Sequence, residues 1–394
     1  MAHALVVGAG IFGVTAAREL RRRGWQVTLL DATRVPAPHA ASTDISKVIR
    51  REYGADRESM RLAAAAIEGW RRWNDEWPEP LFHEVGLLAL SSSGLVDPLE
   101  EGYEAASLRT LRAEGWLPEE LDLPTVRARY PAWRTGRYRA AFFHAAAGWA
   151  ESGRVVARLV GLARREGIDV REGDGGEALL EADAGVVGVR TAGGAELLAD
   201  HVVLAAGVWS ARLAGVDWGM WATAHPVFHL RPRAPELFAA ARFPVFMADI
   251  AQTGWYGFPL HPREGVVKVA RHARGSSVDP DAARAPREGG EEELRAFLRD
   301  ALPELTDAPL AASRTCFYCD TADGQFWIDR DPARAGVTLA SGGSGHAFKF
   351  APVLGPLIAD AVEGKENPWL ARYRWRARDR DYAATEEARA RTVE

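Results

Sequence analysis

Three stretches of this sequence carry side chains of the types that do chemistry. Near the C-terminal end stands Cys316-Phe-Tyr-Cys319-Asp-Thr, and beyond Phe326-Trp-Ile-Asp329 comes the loop Ser341-Gly-Gly-Ser-Gly-His346-Ala-Phe-Lys349-Phe. A zinc site would need two further nearby ligands, which this cysteine pair lacks. A thioredoxin-type pair should sit between a strand and a helix of a small domain, which does not fit here. A buried structural thiol is the plain alternative. The second stretch, Gly265-Val-Val-Lys268-Val-Ala-Arg-His272, alternates as a strand, so Lys268 and His272 point the same way beside Val266 and Ala270. A lysine there is either a partly buried cation or the mark of a solvated edge strand, and the residues alone favour the edge. The third, Ser42-Thr-Asp-Ile-Ser-Lys47-Val-Ile-Arg50, puts two cations close together. If it turns helically they share a face, able to bind a carboxylate or lie against a planar ring; otherwise it is a solvated loop.

The elements that must position these groups begin at the N-terminus. Ala4-Leu-Val-Val7 reads as a buried strand, Gly8-Ala-Gly-Ile-Phe-Gly13 as a turn, Val14 to Arg23 as a helix ended by Gly24, and Gln26 to Leu30 as a second strand closed by Asp31. In this βαβ unit Gly8 allows the tight turn, Gly10 lets backbone approach a pyrophosphate, and Gly13 lets helix and strand pack closely, with the helix N-terminus facing the phosphates. Asp31 stands 18 residues after Gly13, where an acid binds a ribose 2′-OH. The chain therefore binds a dinucleotide. A later run, Asp200-His-Val-Val-Leu-Ala-Ala206-Gly207-Val-Trp209, reads as a strand ending in small residues that allow close approach of a ligand, or as an ordinary core strand and turn.

Further along, Met60 to Trp77 reads as an amphipathic helix stopped by Pro78, Val85 to Leu90 as a strand, and residues 97–130 as helices. A helix follows from Glu151 to Arg165, then strands at Ile168–Val170, Gly185–Arg190 and Glu196–Leu204. Pro226 to Ala270 is strand-rich, Glu291 to Asp300 is helical, Val337–Ala340 is a final buried strand, and Leu354 to Glu363 a final helix. Rossmann-type pieces lie at the start, middle and end with β-rich segments between, which predicts two interleaved, discontinuous domains.

Composition narrows the function classes. With 394 residues the chain can bury a sizeable core; its net charge of −5 gives no electrostatic case for nucleic acid or an anionic membrane. No stretch approaches the roughly 18 apolar residues of a membrane span, and two cysteines make no disulfide framework. The expectation is a cytoplasmic protein, monomeric or a small homo-oligomer. Fourteen tryptophans suggest aromatic walls around something flat.

Together these segments resemble the flavin amine oxidases of the sarcosine oxidase type, within the D-amino acid oxidase-like superfamily. The resemblance runs from Gly8 to about Glu363. It rests on Gly8 to Gly13, Ser42 to Arg50, Gly254-Trp-Tyr256-Gly-Phe-Pro followed by Lys268, Cys316-Phe-Tyr318, and Ser344-Gly-His-Ala-Phe-Lys349, in the family's order. It implies an α/β fold in which a Rossmann-type FAD-binding domain (1–84, 147–214 and 322–394) is interleaved with a β-rich substrate domain (85–146 and 215–321). It implies FAD rather than NAD, joined covalently through Cys316. The cofactor is expected against Gly8, Gly10, Ile11, Phe12, Gly13, Asp31, Ala32, Ser42, Lys47, Val170, Ala206, Gly207, Trp209, Cys316, Gly345, His346, Phe348 and Lys349. The catalytic set is expected to be Lys268, near the flavin and reacting with O2, with Tyr256, Tyr318, Arg50, Lys349 and His272 around the substrate. Cys319 is expected to be a bystander.

The implied reaction is oxidation of a secondary amine by FAD and O2 to an imine and H2O2. Asp44-Ile-Ser-Lys47 is closer to the Asp-Leu-Asn-Lys run of fructosyl amino acid oxidases than to the arginine-bearing run of sarcosine oxidases, and lysine does not replace arginine at a bidentate site. A fructosyl amino acid oxidase is therefore one alternative. A flavin dehydrogenase with a protein electron acceptor is another, and a non-catalytic or NAD(P)-binding Rossmann protein is the alternative from a different class.

Overall fold

The computed structural model describes residues 1–95, 102–215 and 219–376. Of the expected helices at 97–130, residues 97–101 lie outside the described part, as do residues 377–394 of the expected cofactor domain.

The N-terminal βαβ unit forms as its pattern requires. Strands His3–Val7 and Gln26–Asp31 pair in parallel around helix Ile11–Arg22. They lie at the centre of a six-stranded sheet that adds Asp169–Glu172 on one side and His201–Leu204, Val337–Ser341 and Trp327–Arg330 on the other. All but the last pair are parallel. Because successive strand residues face opposite sides, Ala4, Val6 and Leu29 pack with Val14, Ala17, Leu354 and Ile358 of the covering helices. Leu5, Val7 and Leu30 pack on the other face with Val186, Val189 and Leu213. Burial on both faces explains why these strands read as continuous apolar runs.

The expected strand Glu196–Leu204 is two strands. Glu196–Leu198 closes a three-stranded antiparallel sheet with Gly176–Ala182 and Gly185–Thr191. The chain then turns at Asp200, whose carboxylate accepts from His3 N at 2.7 Å, and His201–Leu204 enters the parallel sheet.

The second large sheet has nine strands. Its order is Ser276–Val278, Met220–Leu230, Val267–Arg271, Trp255–Gly257, Val245–Ala248, Leu87–Ser91, Ala140–His144 and Glu119–Leu121, with Leu310–Thr321 paired along Met220–Leu230. Helix Gly290–Ala301 covers it through Leu294, Phe297 and Leu298. Two expectations change here. Val267–Arg271 lies between two neighbours, so it is no edge strand and Lys268 is 1% exposed. Residues Lys47–Ile49 form a short strand against Gly148–Ala150, not a helical turn.

Candidate active site

A cavity of about 1040 Å³ opens at the C-terminal ends of the parallel strands, walled by Val7, Leu30, Asp31, Ala205 and Ser341. This is the crevice in which open α/β sheets hold ligands. Gly8 has φ +99°, and a Cβ there would lie 2.5 Å from Ala205 O, so no other residue fits the turn. Helix Ile11–Arg22 starts at the cavity, where Ser42 Oγ accepts from Ile11 N at 3.3 Å. The Asp31 carboxylate accepts from Ala9 N and Thr33 N, both at 2.9 Å, which fixes it at the cavity's edge.

A smaller cavity of about 60 Å³ shares Lys47, Tyr318, Gly345 and Phe348 with the large one, so the two adjoin at these residues. Its remaining walls include Arg50, Tyr256, His272, His346 and Lys349. Among the described residues it is lined by the basic side chains of Lys47, Arg50 and Lys349 and by no carboxylate. A chain of hydrogen bonds orients this wall. Lys349 Nζ donates to Tyr53 OH at 2.8 Å and to His346 O at 3.0 Å. Tyr53 OH meets His346 Nδ1 at 3.0 Å, and His346 Nε2 meets Gly324 O at 2.9 Å. A carbonyl only accepts, so Nε2 carries a proton and donates to Gly324 O. On the opposite wall Arg50 Nη1 donates to Tyr103 OH at 2.7 Å, and Tyr103 OH donates to Glu52 O at 2.5 Å. Gly345, at φ +76°, brings its backbone against the Tyr318 ring, where a Cβ would come within 2.2 Å. His225 stacks on Tyr318 at 3.8 Å between ring centroids.

Lys268 lies behind these walls. Its Nζ donates to Asp44 Oδ2 and to Ser46 O, each at 2.6 Å, and stands 4.7 Å from the centroid of the Phe258 ring. Burial brings its pKa down to about 8, outweighing the opposing pull of Asp44. Burial also raises the Asp44 carboxyl, but Lys268, His229, Lys47 and Arg314 together hold it well below the ordinary range. The pair is therefore an ionised Asp44 beside a lysine that loses its proton only as pH passes about 8.

The expected residues divide as follows. Gly8, Gly10, Ile11, Phe12, Asp31, Ala32, Ser42, Lys47, Ala206, Gly207, Trp209, Gly345 and Phe348 line the large cavity, with Gly13 directly beneath Gly8. Arg50, Tyr256, His272, His346 and Lys349 line the small one, and Tyr318 lines both. Val170 does not line the large cavity: it pairs with Leu29 and packs on the core, while Gly175, Gly176 and Glu177 stand in that wall. On strand Leu310–Thr321 the cavity wall is Phe317, Tyr318 and Cys319, and Cys316 is buried with Val227, Ala270 and Tyr318. Cys319 thus faces the cavity, but burial pushes its thiol up to about 11, and it donates to Gly207 O at 3.4 Å. Of the tryptophans, only Trp209 lines either cavity among the described residues, while Trp70 meets Trp73 edge-on and Trp73 stacks on Trp77 at the end of helix Arg57–Glu76. Tyr53, Tyr103 and Asp44 were not expected as site residues.

Beside the small cavity, Glu104 accepts from Ile250 N at 2.7 Å. Burial, with Asp249 nearby, pushes it up to about 7 from the ordinary 4.5 in spite of that bond. Between these values only the unfolded chain ionises, so folding stability falls as pH rises from 4.5 to about 7. Glu104→Gln, which cannot ionise, should be more stable than the parent by about 3 kcal/mol at alkaline pH and no more stable in acid. Denaturant unfolding at the two pH values tests this, and an equal difference at both would refute it.

The fold and these two adjoining cavities define a dinucleotide-dependent oxidoreductase. The family model described as FAD dependent oxidoreductase matches residues 3–361, and the chain belongs to that family. It is 29% identical over 414 residues to L-saccharopine oxidase of Schizosaccharomyces pombe, covering 95% of this chain and 93% of that protein. It is 27% identical over 370 residues to monomeric sarcosine oxidase of a Bacillus species, covering 92% of each. Among solved structures, the fructosamine oxidase Amadoriase II of Aspergillus fumigatus superposes with a TM-score of 0.84 at 26% identity, covering 100% of this chain and 94% of that one. The residues present fit FAD: a glycine turn that a Cβ would fill, a helix N-terminus, a fixed carboxylate and a long crevice. No described helix is long and apolar enough to cross a membrane.

Proposed function

We propose that the protein oxidises a secondary amine, the nitrogen of an N-substituted amino acid, with O2 as the final acceptor and H2O2 as product. Bound FAD supplies the two-electron acceptor for a hydride leaving the carbon next to nitrogen. The chain's own residues select and orient the substrate. Arg50 and Lys349 hold its carboxylate, Tyr256, Tyr318 and Phe348 close the small cavity around the amine, and His272 stands at its rim. Burial raises the Tyr256 phenol, so it is a neutral hydrogen-bonding wall rather than a base. Lys268, paired with Asp44, supplies the cation for O2 reduction, where negative charge builds up. Water hydrolyses the resulting imine.

The observation that carries this reading is the small cavity itself, walled by Lys47, Arg50 and Lys349 without a carboxylate and opening on the dinucleotide crevice. Such a wall favours an anionic ligand. The test is an H2O2 assay over N-methyl, cyclic and N-fructosyl amino acids with their methyl esters. Free acids should turn over at least about tenfold better than esters. Equal turnover of acids and esters, or a colourless protein, refutes the reading. A fructosyl amino acid substrate is the second reading, favoured by the Asp44-Ile-Ser-Lys47 run and by the likeness to Amadoriase II.

Covalent attachment through Cys316 belongs to the same proposal. Acid precipitation of the purified protein should leave flavin absorbance in the pellet, and Cys316→Ser should release it to the supernatant. Retention in both, or release from both, removes Cys316 from this role.

A further inference from the structure

We propose that Arg284 binds the pyrophosphate of FAD, adding a cation to the helix N-terminus and glycine turn that face the same group. This rests on the family's use of FAD and is independent of which amine is oxidised.

Arg284 belongs to the polar segment between Ser276–Val278 and helix Gly290–Ala301, and residues 280–284 of that segment line the large cavity. The segment is tied down at two points. Asp281 accepts from Trp209 Nε1 at 2.7 Å and pairs with Arg212, while Ala285 O accepts from Thr315 Oγ1 at 2.6 Å. Between these ties the Arg284 guanidinium carbon lies 3.7 Å from the centroid of the Phe317 ring and 5.9 Å from that of Trp209. Both rings are walls of the cavity. Aromatic faces hold a guanidinium by its plane and leave its N–H edge to donate.

This stretch of wall adjoins the glycine turn. Trp209 ends the short helix that follows strand His201–Leu204, and the residues between them, Ala205 and Ala206, pack on Gly8. A Cβ on Gly8 would lie 2.5 Å from Ala205 O and 2.9 Å from Ala206 Cα. A dinucleotide places its phosphates at such a turn.

The charge of Arg284 is also unmatched. Its Nη1 is buried with no hydrogen-bond partner, a costly state for a charged group. Burial lowers its basicity, so an arriving anion gains more here than at a solvated arginine. The other basic groups of this cavity are His39, Lys47 at the junction with the small cavity, and Arg212, whose charge Asp281 meets. Oxidised FAD carries its negative charge on its two phosphates, while adenine, ribose and the flavin ring are neutral. The phosphates are therefore the groups that can satisfy Arg284, whose fork can give one of them two parallel hydrogen bonds.

The experiment titrates FAD, ADP and riboflavin into apoprotein, in a Cys316→Ser background from which the flavin can be stripped. Arg284→Met should weaken FAD and ADP by the same factor, about ten- to a hundredfold, and riboflavin, which has no phosphate, by less than about threefold. Arg284→Lys keeps the charge without the fork and should fall between. Thermal unfolding of the apoprotein should be unchanged or raised by Arg284→Met, because a buried unpaired cation is gone, while the rise in melting temperature that FAD gives should shrink. FAD affinity at the parent level overturns the proposal. So does an equal loss for riboflavin, which would put Arg284 on the flavin ring, or a lowered melting temperature of the apoprotein, which would make it a structural residue. A parent that binds no FAD overturns the cofactor along with the proposal.

Discussion

Lys268→Met should slow reoxidation of the reduced enzyme by O2 by two to three orders of magnitude, on the scale of removing a preorganised charge from a developing anion. Anaerobic reduction by substrate should change by less than about threefold. The reason for this asymmetry is position. Lys268 lines neither cavity; it is 1% exposed and held by Asp44 Oδ2 and Ser46 O. It has no part in seating the substrate, but a buried cation acts over distance because little water screens it. Methionine keeps the length of the side chain and removes only the charge, although it leaves Asp44 with its nearest partner gone. Asp44→Asn is the converse variant: it removes the pull that keeps Lys268 protonated, so the fall in O2 reactivity should move to lower pH than in the parent. The pH dependence has a fixed sign. Lys268 is charged below about 8, so O2 reactivity should fall as pH rises through that value in the parent and stay flat in Lys268→Met. Stopped-flow measurement of the two half-reactions decides the matter, and equal slowing of both would refute the assigned role.

The residues of this site were legible in the sequence to unequal degrees, and for physical reasons. Gly8, Gly10 and Gly13 announce themselves because a turn at φ +99° against Ala205 O admits only glycine, so composition and geometry coincide. Lys268 read by periodicity alone looks like an edge residue, because alternation shows which way a side chain points and not what stands in front of it. Its partner Asp44 lies 224 positions away, a pairing no local pattern encodes. Only the order of motifs that marks the family pointed to its burial. Lys47 and Arg50 meet at the small cavity although the segment is a strand, since Arg50 lies just past the end of Lys47–Ile49. Tyr103 and Tyr53 were invisible for a different reason: they act through Arg50 and Lys349, and a tyrosine in a helix or loop is most often core. The tryptophans misled because their number says nothing of place; Trp133 and Trp255 stack on Phe243 and Phe297 beneath the large sheet, far from any role as a ligand wall.

Lys349→Met should cost about 10²- to 10³-fold in kcat/KM for a carboxylate substrate, and the same substrate as its primary amide should lose less than about tenfold. The difference follows from what the cavity offers. Lys349 is buried, and its hydrogen bonds to Tyr53 OH and His346 O are to neutral acceptors, so an arriving carboxylate gains a charge-assisted bond that an amide does not. Removing the ammonium takes away this discrimination and leaves the shape of the wall. Tyr53→Phe separates charge from placement: the cation remains, but the bonds to Tyr53 and through it to His346 Nδ1 are lost. That variant should lose about tenfold, with KM rising and the acid-to-amide preference retained. Arg50→Met removes the opposite cation and should resemble Lys349→Met. If both cations grip one carboxylate, the double variant should fall short of the product of the two single losses, because groups acting on one atom pair are not additive. Losses that multiply would place the two cations on separate parts of the substrate, and equal losses for acid and amide would remove the carboxylate from Lys349 altogether.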